Sequence, residues 1–144
     1  SDRFGAKEVA LFRDMAALYG QIAPQLWFAL LYQWLFADGF FASPANVAAA
    51  AAASTNYPYR QSPEDFARQV RALETAGPLD VSRVRCSTLA IAAGLDLLVP
   101  PSRVLAAHVG IRQLTTVVVE GAGHSVHWEQ PERVAGVVLE FLEG

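Results

Sequence analysis

The stretch Thr115-Thr116-Val117-Val118-Val119-Glu120-Gly121-Ala122-Gly123-His124-Ser125-Val126-His127-Trp128-Glu129-Gln130-Pro131 decides the reading of this chain. The β-branched run predicts a strand, and the glycine-flanked histidine that follows presents an imidazole at the strand's end, where it can shuttle protons. Further upstream a second apolar run, Leu89 to Ala93, ends in Gly94-Leu95-Asp96-Leu97-Leu98-Val99-Pro100, so that a carboxylate leaves a neighbouring strand in the same way. Strand–Asp, helix, strand–His is the second half of a catalytic triad: the carboxylate fixes the tautomer of the imidazole, and the imidazole moves the proton.

Working outward, Val84 to Ala93 is predicted as one strand and Leu114 to Val119 as the next, with a helix from Pro101 to about His108 between them. Two strands separated by a helix imply a parallel, right-handed crossover. Pro131 opens a closing helix to about Leu142 that turns Val134, Val137, Val138 and Phe141 inward. Gly77-Pro78 marks a boundary, and before it the pattern is helical. Phe12, Met15, Ala16 and Tyr19 recur at helical spacing, with Gly20 placed to end that helix. Pro24 begins a second helix, apolar nearly all round through Phe36, which must be covered on most sides or face an apolar cavity. Asn46 to Ala53 is an alanine-rich helix, and Ser62-Pro63-Glu64-Asp65 supplies an N-cap, a first-turn proline and first-turn acids for a helix reaching about Ala76. The expected organisation is a helical region over 1–78 and a β-α-β-α unit over 79–144, an α/β fold.

Composition narrows the class. Of 144 residues, 53% are hydrophobic and 17% charged, which supplies a sizeable core and is unlike a disordered chain. A formal net charge of −3, with no basic stripe, gives no signal for nucleic acid or for acidic membranes. The longest apolar stretch, Leu26 to Ala37, falls short of the roughly 18 residues of a membrane span. The opening Ser1-Asp2-Arg3 is charged and carries no apolar signal core, so the chain is expected to be soluble and cytoplasmic. The single Cys86 excludes an internal disulfide and is expected to be a buried structural thiol. His108, His124 and His127, with Cys86 remote from them, do not have metal-ligand spacing, and no cofactor is implied.

With these residues in view, the chain resembles the α/β-hydrolase superfamily, specifically its lid-bearing esterases, enol-lactonases, cofactor-free haloperoxidases and C–C bond hydrolases. In that family the acid follows the penultimate strand and the histidine the last one. Asp96 and His124 stand at those positions, and Glu129-Gln130-Pro131 matches the Glu-x-Pro that commonly opens the closing helix. The resemblance implies a partial α/β-hydrolase fold: a helical lid over 1–78 and the last two parallel strands with their helices. It also implies a nucleophile on a Gly-x-Ser-x-Gly elbow, which this sequence lacks; Gly123-His124-Ser125-Val126-His127 has His where the closing Gly should be. The chain is therefore expected to be the C-terminal half of a larger enzyme, inactive alone, with an N-terminal half or a second copy of itself as partner.

The leading expectation is an esterase or lactonase acting by acyl transfer, in which Asp96 orients and His124 is general base and acid. Trp27, Phe28 and Trp34 on the lid, with His127 and Trp128 at the pocket mouth, are the expected contacts for a small apolar ester or lactone. Plain packing is the competing reading for each of these aromatic residues, as a loop histidine is for His124 and a turn or cap is for Asp96. Two further alternatives stay open. One is a haloalkane or epoxide hydrolase with an Asp nucleophile; the other is an inactive interaction module on the same scaffold.

Overall fold

A computed structural model describes residues 5–144, so the charged opening Ser1-Asp2-Arg3 lies outside the described residues. The elements are α1 (Ala6–Leu18), α2 (Pro24–Leu35), α3 (Asp38–Phe41), α4 (Pro44–Asn56), α5 (Pro63–Thr75), β1 (Thr88–Ala93), α6 (Pro101–His108), β2 (Leu114–Val119), α7 (Val126–Glu129) and α8 (Pro131–Glu143). They fall into two compact units. Among the described residues, one holds 5–33 together with Asp38–Gly77, and the other holds Trp34–Ala37 with Pro78–Gly144. The chain passes from one unit to the other between Gly77 and Pro78, and the segment Trp34–Ala37, from the last turn of α2 onward, groups with the strands, which the sequence did not indicate.

In the helical unit the sequence signals act as read. Ser62 Oγ accepts the Asp65 N–H at 3.1 Å and Pro63 occupies the first turn of α5, while Ser43 and Pro44 do the same for α4. Gly20 follows α1 with φ +88°, a left-handed conformation that favours glycine. The core is Met15, Tyr19 and Trp27, with Leu11, Ile22, Phe28 and Phe66 packed against it. The Trp27 ring stacks on Tyr19 at 4.0 Å between centroids, and its indole N–H donates to the Met15 carbonyl at 2.8 Å. Both polar handles in this aromatic cluster are satisfied, since the Tyr19 hydroxyl also donates to the Gln61 carbonyl at 2.7 Å. α1 starts earlier than its apolar spacing suggested, and the one-turn α3 was not anticipated.

In the other unit β1 and β2 pair in parallel, Thr88 opposite Leu114 through Ala93 opposite Val119. Parallel pairing puts the C-terminal ends of both strands, Ala93 and Val119, side by side. β1 is shorter than the expected Val84–Ala93 because its partner starts only at Leu114: Val81–Arg83 form a 3-10 turn capped by Asp80, and the ladder opens where the Thr88 N–H donates to the Gln113 carbonyl at 2.8 Å. Cys86 lies in this lead-in and is exposed, which corrects the expectation of a buried thiol. α6 packs on both strands and α8 on β2, with Val137 buried and Val134, Val138 and Phe141 on the same half-buried face. Ala93, Val119 and Ala122 form the core beneath the strand ends.

Candidate active site

The loops that leave β1 and β2 are joined to each other by backbone. The Gly94 N–H donates to the Val119 carbonyl and the Leu95 N–H to the Ala122 carbonyl, both at 2.9 Å. Glycine at 94 suits this close approach, since a Cβ there would lie 3.1 Å from the Glu120 Cα. The Asp96 turn is closed by its own N–H, which donates to the Ala93 carbonyl at 3.2 Å, and anchored by Leu98, which is 2% exposed. Full burial of one such leucine stabilises by about 2 kcal/mol. On the other side, Gly121 turns the chain out of β2 with φ +75°, and the Gln130 side-chain amide donates to the Glu120 carbonyl at 2.7 Å.

These loops bring Asp96 and His124 together, with Asp96 Oδ2 2.9 Å from His124 Nδ1. The other carboxylate oxygen accepts the N–H groups of Leu98 and Val99 at 2.8 and 2.9 Å, so the carboxylate is held on both sides. Burial pushes the Asp96 carboxyl up. The hydrogen bond from His124, the Val99 N–H, the charge of His124 and the Leu98 N–H together outweigh it, and hold the group below its ordinary value. An ionised carboxylate only accepts, so Nδ1 carries the proton and a neutral ring keeps its basic lone pair on Nε2. The Asp96 side chain is 7% exposed and that of His124 40%. A sequestered acid thus backs an imidazole that is open to a reacting group.

The depressed Asp96 has a measurable consequence. A folded-state value below the unfolded one means that the unfolded chain binds more protons as this group titrates, so its contribution is present above the ordinary aspartate value of about 3.9 and lost as pH falls through the lower folded value. Urea midpoints measured between about pH 2 and pH 6 are expected to fall towards acid more steeply for the wild type than for Asp96→Asn. Equal slopes would contradict it.

The other expected site residues divide. His127 and Trp128 sit on α7, three and four residues beyond His124 in the same unit; both are exposed, Trp128 by 75%, and their rings meet edge-on at 6.3 Å. Trp34 is half-buried in the short segment that belongs to this unit. Trp27 and Phe28 lie in the helical unit, and there the structure corrects the expectation of a substrate-facing Trp27: at 2% exposure, with its N–H bonded, it is a core residue. Phe28 meets Trp27 edge-on at 5.1 Å and packs against the same cluster. His108 bonds the Val104 carbonyl one turn back and takes no part in the site. The described residues bring together no three His, Cys, Asp or Glu side chains that could hold a metal ion, and contain no helix long and apolar enough to cross a membrane.

Sequence reasoning missed three features. Leu95 and Leu97, which flank Asp96, are 54% and 57% exposed and give the Asp96 loop an apolar surface. Glu129, read only as part of a helix opening, reaches back to the His124 loop, its Oε2 accepting the Gly123 N–H at 2.6 Å. The segment 35–37 is the floor on which that loop rests: the Ser125 N–H donates to the Leu35 carbonyl at 2.8 Å. A Gly-x-Gly before the histidine was a signal for such a close backbone approach.

Comparison with known proteins agrees with this fold. The chain superposes on the enol-lactonase from Burkholderia xenovorans LB400 with a TM-score of 0.78 at 18% identity, covering 100% of this chain and 54% of that one. A thermophilic esterase from Thermogutta terrifontis gives 0.75 at 23%, covering 98% and 52%. A meta-cleavage product hydrolase from Pseudomonas fluorescens IP01 gives 0.64 at 23%, covering 85% and 47%. The chain thus spans about half the length of these solved structures. No curated protein matches it. The sequence profile described as "Alpha/beta hydrolase family" matches residues 2–137, nearly the whole chain, and with the parallel strands whose following loops carry Asp96 and His124 this establishes that the protein belongs to the alpha/beta hydrolase family.

Proposed function

We propose that this chain supplies the acid and the base of a hydrolase that cleaves small apolar esters or lactones by acyl transfer. The observation that carries the reading is the hydrogen bond of 2.9 Å between a sequestered Asp96 and an accessible His124, in which Asp96 leaves Nε2 as the basic nitrogen. His124 takes the proton of a nucleophilic hydroxyl as its oxygen attacks the carbonyl carbon, and Asp96 stabilises the imidazolium that forms. The same proton passes to the leaving oxygen as the C–O bond breaks; water then repeats the cycle on the acyl group. The apolar surface of Leu95, Leu97 and Trp128 supports an apolar substrate, and the esterase and enol-lactonase among the solved structures support the acyl-transfer class.

In this reading the nucleophile is a serine contributed by an N-terminal half of the same enzyme, and the helices before Gly77 serve as lid. Ser125 does not fill that role, for it is buried with its N–H committed to Leu35. A fluorophosphonate is expected to leave the 144-residue chain unlabelled, and to label and inhibit a protein in which the chain is joined to a serine-bearing elbow and turns over a p-nitrophenyl ester. Labelling of a serine within these 144 residues would overturn the assignment. Fluorophosphonate-insensitive halide release would point instead to an Asp nucleophile with His124 activating water.

A further inference from the structure

Glu129 is joined to two backbone segments far apart in the chain. One carboxylate oxygen accepts the Gly123 N–H at 2.6 Å, and the other accepts the Ala37 N–H at 2.8 Å, across 92 residues of sequence. Beside these bonds the Ser125 N–H meets the Leu35 carbonyl at 2.8 Å, so the residues on either side of His124 are both tied, directly or through Glu129, to the same short stretch. The contact is close: a Cβ on Gly123 would come within 2.8 Å of Ala37 N and 2.9 Å of the Phe36 carbonyl carbon. The next residue, Gln130, holds the start of the loop through the Glu120 carbonyl.

We propose that Glu129 is the positioning residue of the base: it clamps the His124 loop onto segment 35–37 and thereby sets the distance of the imidazole from Asp96. The proposal rests on the reading of His124 as general base, but its geometric half does not. The geometry explains why a carboxylate suits this place. Two N–H donors from different segments need two acceptor oxygens at a fixed spacing, and a carboxylate offers two acceptors while an amide offers one. The hydrogen bonds of Glu129 go to the Gly123 and Ala37 N–H groups and not to the Asp96 or His124 side chains, so its effect on them passes through backbone.

The test compares Glu129→Gln and Glu129→Ala in the full 144-residue chain by NMR. Amide exchange is followed at Gly123 and Ala37, together with the Nδ1–H proton and the ring-carbon shifts of His124. The wild type is expected to protect both amides and to show a slowly exchanging Nδ1–H. Glu129→Ala is expected to expose both amides and to broaden or lose the Nδ1–H signal. Glu129→Gln keeps one acceptor, and is expected to expose one amide and to retain part of the Nδ1–H signal. Signals of Trp27 and Tyr19 in the helical core, and the ring of His108, should stay in place, showing that the variants fold. In the nucleophile-bearing enzyme, Glu129→Ala should lower kcat by about 100-fold, the scale of a misplacement of about 1 Å, with KM little changed and much of the rate restored by Glu129→Gln. His124 signals that are unmoved in Glu129→Ala would overturn the proposal. Displaced His124 signals without loss of kcat would sustain the clamp and sink the reading of His124 as base.

Discussion

Replacing His124 with alanine is expected to lower kcat/KM of the nucleophile-bearing enzyme by about 10⁴-fold or more, whereas His127→Ala changes it by less than about tenfold. The two residues are three positions apart, and both are solvent-exposed. Exposure alone does not distinguish them. What does is the partner: His124 Nδ1 lies 2.9 Å from Asp96, whereas the His127 ring meets the Trp128 ring edge-on at 6.3 Å. Without a carboxylate to fix its tautomer and stabilise its cation, an imidazole is a poor base at neutral pH, and a base is needed in both halves of an acyl transfer. His108→Ala is a further control, because that ring is bonded to the carbonyl one turn back in α6. Steady-state kinetics of the three variants on one p-nitrophenyl ester settle the matter. Equal losses for His124→Ala and His127→Ala would reject the assignment.

The dyad was legible in the sequence because strand ends are. An apolar or β-branched run followed by a glycine turn marks where a strand stops, and a helix between two such runs makes the strands parallel, so their last residues become neighbours. Ala93 opposite Val119 is that inference realised, and Asp96 and His124 inherit the proximity. The boundaries of α6 and β2 were legible for the same reason, being punctuated by Pro101 and bounded by polar residues. Elsewhere the pattern was silent. α2 is apolar on nearly every face, and periodicity cannot say which ring of such a helix meets the core, so Trp27 was misread as substrate-facing. Cys86 was misplaced because β1 could be extended upstream only if β2 supplied partners, and β2 begins too late. The Glu129 clamp was invisible, since its second target is a backbone N–H 92 residues away and backbone groups have no signature in sequence.

Gly123→Ala should be the most damaging single-methyl change in the His124 loop, and the opposite of Gly136→Ala. At 123 the new Cβ would sit 2.8 Å from Ala37 N, 2.9 Å from the Phe36 carbonyl carbon and 3.0 Å from the Leu35 carbonyl oxygen. All three are backbone atoms, so no side chain can rotate away; either the loop or segment 35–37 must move. Any such movement lengthens the Gly123–Glu129, Ala37–Glu129 and Ser125–Leu35 hydrogen bonds together, and takes His124 away from Asp96. Forced overpacking of this kind costs about 1–3 kcal/mol, and each buried donor left unpaired adds about 1 kcal/mol or more. At 136, within α8, an added Cβ meets nothing within 4 Å, and alanine in a helix interior is favoured over glycine by about 1 kcal/mol. Both variants restrict the unfolded chain alike, so the contrast isolates the folded state. Urea midpoints are expected to fall for Gly123→Ala and rise for Gly136→Ala, with protection of the Ser125 amide lost only in the former. In the nucleophile-bearing enzyme Gly123→Ala should also cost about 100-fold in kcat. A Gly123→Ala chain that keeps its midpoint and its Ser125 protection would show that the loop does not rest on segment 35–37, and with it the clamp by Glu129 would fall.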